Sequence, residues 1–233
     1  MSGKDLTRKA RGDVAAFLDE VRQVPARREV GRGRGRLTFA LDATASREPT
    51  WDRACDVQAS MFVEAERLGG LDVQLVYYRG FGECRASRWV GQPSGLVRLM
   101  RSVRCAAGRT QIARVLRHAA SETERERVHA LVFVGDAMEE DADELGRLAG
   151  ELGLRGVRAF LFHEGDEPAA VRAFRQIAKL TGGACCRFDA RSPAQLRELL
   201  RAVAAYAAGG LTALQDLGRR EQGVVELIAS QTR

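Results

Sequence analysis

Residues 37–46 read Leu37-Thr-Phe-Ala-Leu-Asp42-Ala-Thr44-Ala-Ser46, an apolar run that ends in a carboxylate and is followed by two hydroxyls at steps of two. A short apolar run bounded by polar residues is typical of a buried strand. In open α/β sheets, ligands bind just beyond the carboxyl ends of such strands. Alternate residues of an extended segment point the same way. We therefore expect the oxygens of Asp42, Thr44 and Ser46 to converge on one small ion.

The chemistry of these three side chains favours a hard cation. One carboxylate and two hydroxyls form an oxygen-only ligand set, which suits Mg²⁺, an ion that keeps several of its waters. The spacing alone is weak evidence, because Asp-x-Thr-x-Ser also occurs in ordinary turns and helix caps.

The composition is that of a folded soluble protein. Of its 233 residues, 45% are hydrophobic and 29% charged, and no apolar run approaches the roughly 20 residues that cross a bilayer. The first residues lack the apolar core of a signal peptide, so a cytoplasmic protein without membrane contact is the expectation. The five cysteines form no Cys-x-x-Cys pair, which argues against a zinc site or a disulfide framework. The adjacent Cys185 and Cys186 are expected to be reduced packing residues.

The positive charge is concentrated at the N-terminal end. Residues 1–36 contain ten Lys or Arg and five Asp or Glu, whereas the rest of the chain is nearly neutral. An amphipathic helix is predicted at residues 14–21, and Pro25 ends it. The following segment is rich in Arg and Gly and favours a solvated linker. The alternative is an arm that binds nucleic acid, since clustered arginines bind phosphates without a fold, although no interleaved aromatic residues offer base stacking.

Strands and helices alternate through the middle of the chain, which predicts a doubly wound, mostly parallel sheet with helices on both faces. The patterns predict three parts: an N-terminal helix and basic linker at 1–36, an α/β domain at 37–206, and a helical tail at 207–233. Six strands are predicted, with the third an antiparallel edge strand, at residues 37–42, 71–78, 84–90, 128–134, 157–162 and 184–188. Helices are predicted at residues 51–68, 94–103, 112–119, 141–153 and 168–180, and from Ser192 onward.

Two more polar residues are expected at the same edge of the sheet. Asp136 follows the continuous apolar strand at 128–134. Thr110 lies in a Gly-containing loop before the helix at 112–119, where it could instead be a simple N-cap. Asp141 and Glu144 form a capping box for the next helix. The acidic run that contains them is explained mostly by the dipole of that helix.

With these residues in place, the chain resembles a von Willebrand factor type A (vWA) domain over residues 37 to about 206. That family builds a metal-ion-dependent adhesion site (MIDAS) from Asp-x-Ser-x-Ser, a Thr and a second Asp. Asp42 and Ser46 match the first motif, and Thr44 stands where the first Ser usually is. Thr110 matches the loop Thr, in Gly-Arg-Thr rather than Gly-Gly-Thr. Asp136 matches the last Asp, in Gly-Asp-Ala rather than Thr-Asp-Gly.

The resemblance implies a Rossmann-like vWA fold with Mg²⁺ or Mn²⁺ held by Asp42, Thr44, Ser46, Thr110 and Asp136. Family members use the open position of the metal to bind an acidic residue of a partner protein. The implied function is therefore metal-dependent protein interaction within an intracellular multi-protein complex. Intracellular bacterial members often work with AAA+ ATPases, which makes such an ATPase a candidate partner.

Enzyme interpretations find little support in the sequence. It contains no Gly-x-Ser-x-Gly elbow, phosphate-binding P-loop or His-Glu-x-x-His motif, and His118, His129 and His163 are dispersed. A Mg²⁺-dependent hydrolase would lack an identifiable nucleophile or base. A nucleotide-binding module would lack a glycine-rich loop after the first strand. The prediction is thus an interaction module and not an enzyme, with a nucleic-acid-associated protein that uses the basic arm as the first alternative and a Mg²⁺-dependent hydrolase as the second.

Overall fold

The computed structural model describes residues 34–48, 71–188, 202–203, 205–207 and 209. The helices predicted at residues 14–21 and 51–68, the helical tail and most of the helix predicted from Ser192 lie outside these residues. None of the helices within the described ranges is long and apolar enough to cross a membrane.

Six strands form one sheet in the order β3-β2-β1-β4-β5-β6. The strand β3 pairs antiparallel with β2, and the other neighbouring strands are parallel. This arrangement confirms the predicted mostly parallel sheet with an antiparallel edge strand. The bounds are β1 Gly35–Asp42, β2 Leu71–Arg79, β3 Glu83–Ala86, β4 Ala130–Gly135, β5 Arg158–Glu164 and β6 Ala184–Phe188.

Helices cover both faces of the sheet. Alternate residues of β1 face opposite sides, and every residue of that strand is buried, as a central parallel strand requires. One face packs against α1 and against the helical residues 202–203 and 205–207, and the other against α2, α3 and α4. The bounds are α1 Pro93–Ser102, α2 Ile112–Arg125, α3 Ala142–Leu154 and α4 Pro168–Thr181.

Two elements differ in length from the prediction. The strand β3 ends at Ala86, and beyond it the chain stays beside β2 through hydrogen bonds between Ser87 and Leu75 and an isolated bridge between Val90 and Val73. The helix α2 continues to Arg125, well past the expected end at Ala119. Its last turns carry a buried polar residue, Glu122, which accepts a hydrogen bond from the indole of Trp89 at 2.8 Å. The hydrogen bond from Trp89 thus satisfies a charged residue that α2 buries beyond the predicted end of the helix.

The last arginines of the expected linker belong to the folded body. Arg36 is buried on β1, its guanidinium lies 3.8 Å from the centre of the Trp89 ring, and it pairs with Glu126 at 2.9 Å. Arg34 pairs with Asp72 at 3.0 Å. These two side chains therefore stabilise the edge of the sheet where the parallel strands begin, opposite to the edge with Asp42.

Candidate metal centre at the sheet edge

Asp42 is the last residue of β1 and is almost completely buried. One of its carboxylate oxygens accepts the backbone N–H of Thr44 at 2.8 Å, and the other accepts the hydroxyl of Tyr78 at 2.9 Å. Burial raises the pKa of Asp42, the hydrogen bonds from Thr44 and Tyr78 oppose that rise, and the nearby charge of Asp136 adds to it. The carboxylate is thus held in one orientation, and no positive side chain among the described residues pairs with its negative charge.

The two hydroxyls after Asp42 do meet, but not through an extended strand. Thr44 is extended, whereas the short 3-10 helix Ala45–Arg47 follows at once. The turn brings the Thr44 and Ser46 hydroxyl oxygens to 3.0 Å from each other. Strand alternation therefore does not explain this approach for Ser46, and the convergence of the Asp42, Thr44 and Ser46 oxygens on one ion stays a prediction. Thr44 is buried and Ser46 is exposed, so the pair opens toward solvent.

Tyr78 is a site residue that the sequence did not reveal. In the parallel register of β1 and β2 it lies directly opposite Asp42, and it is completely buried. Its ring stacks on Phe133 at a centroid distance of 6.2 Å. Burial raises the pKa of the Tyr78 hydroxyl well above its usual value, and the Asp42 carboxylate raises it further. The hydroxyl therefore keeps its proton and donates a hydrogen bond to the Asp42 carboxylate. The available signal was the aromatic pair at the end of β2, which is also typical of an ordinary buried strand.

The loop that carries Thr110 is held at this edge by a close backbone approach. A side-chain carbon on Gly108 would lie 2.1 Å from the carbonyl oxygen of Gly80. Gly80 itself has a left-handed φ of +61°, which favours glycine. The N–H of Arg109 donates to the Gly80 carbonyl at 3.1 Å, and that of Ala106 donates to the carbonyl of Ala43 at 3.0 Å. The Gly-Arg-Thr loop is thereby fixed beside the ends of β1 and β2.

Thr110 does not cap α2, which corrects the N-cap alternative. Its hydroxyl accepts the N–H of Glu139 at 3.1 Å, and its own N–H donates to the Glu139 carboxylate at 3.3 Å. The Glu140 carboxylate accepts the N–H groups of Ile112 and Ala113. Carboxylates stabilise the positive end of a helix dipole, and Glu140 does so for α2. The acidic run therefore serves two helices, because Asp141 caps α3 by accepting the N–H of Glu144 at 2.8 Å.

Asp136 adds to this edge an oxygen that has no hydrogen-bond partner in the described part of the chain. It directly follows the end of β4, the strand beside β1. Its Oδ1 atom is buried and accepts no hydrogen bond from the residues that the structure describes. A buried charged oxygen without a partner is costly. A cation or a bound water would remove that cost.

The donor chemistry at this edge fits a hard cation. Its groups are two neighbouring carboxylates, one with a buried free oxygen, and the paired hydroxyls of Thr44 and Ser46. The described residues contain no cluster of three or more His, Cys, Asp or Glu that could hold a metal. A metal here would depend on hydroxyls and water for the rest of its ligands, as Mg²⁺ commonly does. The Thr110 hydroxyl lies in the adjoining loop and is already bonded to Glu139.

His163 lies near the same edge and predicts an acid-sensitive fold. It is buried, and neither ring nitrogen has a hydrogen-bond partner among the described residues. Burial lowers the pKa of His163 from its ordinary 6.5. Below pH 6.5 the unfolded chain binds a proton that the native chain resists, so the free energy of unfolding should fall as the pH drops.

We expect His163→Phe to weaken this pH dependence without destabilising the protein at neutral pH, because no hydrogen bond is lost. Urea unfolding at about pH 7.5 and about pH 5.5 measures it. His118 and His129 also have lowered pKa values, so part of the slope should persist in the variant. A variant with the same slope as the parent would show that His163 does not contribute.

No protein-family model and no curated protein sequence matches the chain. Solved structures do match it. A von Willebrand factor type A protein from Catenulispora acidiphila matches with a TM-score of 0.61 and 18% identity. The match covers 76% of this chain and 43% of that protein. The SpRpn10 VWA domain matches with a TM-score of 0.58 and 13% identity over 72% of this chain and 94% of the domain.

A third match is proximal thread matrix protein 1 from the mussel byssus, whose structure has a zinc-occupied MIDAS motif. Its TM-score is 0.58, with 15% identity over 74% of this chain and 46% of that one. At such low identities the likeness concerns the fold. The chain thus has the fold of a vWA domain, as its sequence motifs had indicated.

Proposed function

We propose that this protein is a metal-dependent protein-interaction module. Asp42, Thr44, Ser46 and Asp136 would hold Mg²⁺ or Mn²⁺, with Thr110 supporting the site from the adjoining loop. The observation that carries the proposal is the buried Oδ1 of Asp136, which has no hydrogen-bond partner among the described residues and directly follows β4, the strand next to the one that ends in Asp42. The zinc-occupied MIDAS motif of the byssus protein supports it as a structural analogy.

The residues of this edge would contribute different ligands to the metal. The two carboxylates supply negative charge, and the Thr44 and Ser46 hydroxyls supply neutral oxygens, so the charge of the cation is only partly neutralised. A bound metal would attract a further carboxylate at its open position. Such an attraction is stronger at a partly desolvated edge than in bulk water. Tyr78 would keep the Asp42 carboxylate in place by donating a hydrogen bond to one of its oxygens.

The partner would therefore be a protein that presents an acidic side chain, within a larger complex. An AAA+ ATPase is one candidate of this kind, inferred from the family resemblance alone. The proposed role is interaction and not catalysis, with Asp42 held by the backbone N–H of Thr44 and the hydroxyl of Tyr78.

Isothermal titration of Mg²⁺ and of Mn²⁺ into the EDTA-stripped chain tests the proposal. Saturable binding of one ion per chain is expected, together with a rise in melting temperature, because a ligand that binds only the native state stabilises it. Asp72→Asn is a matched control, since that carboxylate lies at the opposite end of β2 and pairs with Arg34. Its metal binding should equal that of the parent.

The absence of both a binding isotherm and a metal-dependent shift in melting temperature would argue against the metal centre. The same titration repeated with Ser46→Ala should give a weaker affinity with an unchanged fold, because Ser46 is exposed and bonded to Thr44 alone among the described contacts. Equal affinity would exclude Ser46 as a ligand.

The described part of the basic arm does not favour the nucleic-acid alternative. Two arginines of the expected basic arm, Arg34 and Arg36, bind the folded body. The rest of that arm lies outside the described residues.

A further inference from the structure

Phe81 is an exposed aromatic residue at the same edge of the sheet as the candidate metal centre. It lies in the turn between β2 and β3, and 83% of its surface is exposed. Single exposed apolar residues are common on protein surfaces and need no function. Phe81 is distinguished by the rigidity of its turn and by the charges around it.

Several hydrogen bonds hold the turn that carries Phe81. The Gln111 side chain donates to the carbonyls of Arg79 and Gly80 at 3.1 and 3.3 Å. The Arg114 guanidinium donates to the carbonyl of Gly82. The backbone of the neighbouring loop adds a bond to Gly80 at 3.1 Å. The aromatic ring is thus presented to solvent on a fixed support, which lowers the entropy lost when a partner binds it.

The charges around the turn are unevenly distributed. Arg104 and Arg109 are exposed, and neither makes an ion pair with a described residue. The carbonyl of Arg104 accepts the Arg79 guanidinium at 2.7 Å, and Arg109 follows the glycine that touches Gly80. Both arginines therefore belong to the loops beside β1 and β2.

The other half of the edge, beside β4 and β5, carries the opposite charge. Its exposed acidic residues are Glu139, Asp141, Asp143, Asp166 and Glu167. An acidic ligand would be repelled from that half and attracted to the arginines. Charge thus directs such a ligand across Phe81.

We propose that Phe81, Arg104 and Arg109 form a selectivity surface, and that its ligand is an acidic peptide segment of a partner protein with an apolar side chain close to its metal-binding carboxylate. This inference rests on the proposed function, because the carboxylate is placed at the metal. The apolar side chain packs on Phe81, and further acidic residues pair with the two arginines. Aromatic and arginine side chains are the ones that most often dominate protein interfaces.

Selection from a phage-displayed library of random peptides, with the full-length protein in Mg²⁺, tests this surface. Enriched peptides should combine a Glu or Asp with a nearby aromatic or aliphatic residue and carry net negative charge. The enriched peptides are then synthesised with a fluorescent label, and their affinities are measured by fluorescence polarisation. Failure to enrich any sequence, or enrichment of basic sequences, overturns the proposal.

The variants assign the binding to individual side chains. Phe81→Ala should weaken the selected peptides by about tenfold or more, and the double change Arg104→Glu with Arg109→Glu should abolish their binding. Leu154→Ala is the apolar control, because Leu154 is equally exposed at the end of α3, near the opposite edge. Arg175→Glu on α4 is the charge control. Equal affinity of the parent and Phe81→Ala overturns the proposal.

Two further measurements distinguish a loss of this surface from a loss of the metal centre and from membrane binding. Phe81→Ala should bind Mg²⁺ as the parent does, so a failure of the metal centre appears in the parent's own titration and not in this comparison. Cosedimentation with vesicles of phosphatidylcholine and phosphatidylserine should be absent. If it occurs and is lost in Phe81→Ala, the surface is a membrane contact, and the peptide proposal is overturned.

Discussion

Asp42→Asn is expected to abolish saturable Mg²⁺ binding while the protein remains folded and as stable as the parent, or slightly more stable. Asparagine keeps an oxygen that can accept the Thr44 N–H, and the Tyr78 hydroxyl can accept from the new amide. The change removes a buried carboxylate, and burial raises the pKa of this Asp42 side chain because it disfavours the charged form. Titration calorimetry and urea unfolding of the metal-free variant measure the two effects.

The raised pKa of Asp42 predicts the direction in which the stability of the parent protein changes with pH. An acid with a raised pKa binds its proton more readily in the native state than in the unfolded state. The free energy of unfolding therefore falls as the pH rises from 3.8, the ordinary pKa of an Asp carboxyl, through the raised pKa of Asp42 in the native state. That contribution should be absent from Asp42→Asn. A variant with unchanged Mg²⁺ affinity would contradict the assignment of Asp42 to the metal centre.

Asp42→Ala should behave differently from Asp42→Asn. Alanine leaves the Thr44 N–H and the buried Tyr78 hydroxyl without their acceptor, at a cost of about 1–3 kcal/mol in unfolding free energy. If the alanine and asparagine variants prove equally stable, the hydrogen bonds to the carboxylate do not stabilise the protein.

Gly108→Ala is expected to damage both the fold and the metal centre. The added carbon would lie 2.1 to 2.5 Å from three backbone atoms of Gly80, where no side chain can move aside. The two loops must separate, which breaks the Arg109–Gly80 hydrogen bond and shifts Thr110. We expect a loss of about 1–3 kcal/mol in unfolding free energy and about tenfold weaker Mg²⁺ binding, a loss of about 1.4 kcal/mol.

Gly150→Ala provides the control. This glycine lies within α3 and has open space around it, so alanine should stabilise the helix by about 0.5–1 kcal/mol. Its Mg²⁺ affinity should not change. Urea unfolding and calorimetry on both variants make the comparison. A Gly108→Ala protein with the stability and affinity of the parent would show that the close approach to Gly80 does not position the loop.

Much of the fold could be predicted from local patterns. The apolar run that ends in Asp42 and the later run before Asp136 are both strands, with bounds shifted by only a few residues. Capping by Asp141 was also readable, because a capping box is a local motif. The family resemblance then supplied the topology, and the solved vWA structures bear out the fold.

The metal assignment of the site residues remains a prediction, and part of the site could not be foreseen. Glu140 was expected to serve the helix that follows it, yet it binds the N-terminus of a helix that precedes it in sequence. Ser46 reaches Thr44 through a turn and not along a strand. In both cases more than one local conformation suited the residue, and the pattern could not choose between them.

The sequence by itself determined the strands and helices of the described residues, apart from some of their ends, and the polar residues that end two of the strands, because hydrophobic periodicity and capping act within a few neighbouring residues. The tertiary structure alone decided that Tyr78 faces Asp42, that Gly108 touches Gly80, and that an oxygen of Asp136 is buried without a partner among the described residues. These arrangements join residues that are far apart along the chain. They depend on strand order and register, which are set by the packing of the whole sheet and not by any local pattern.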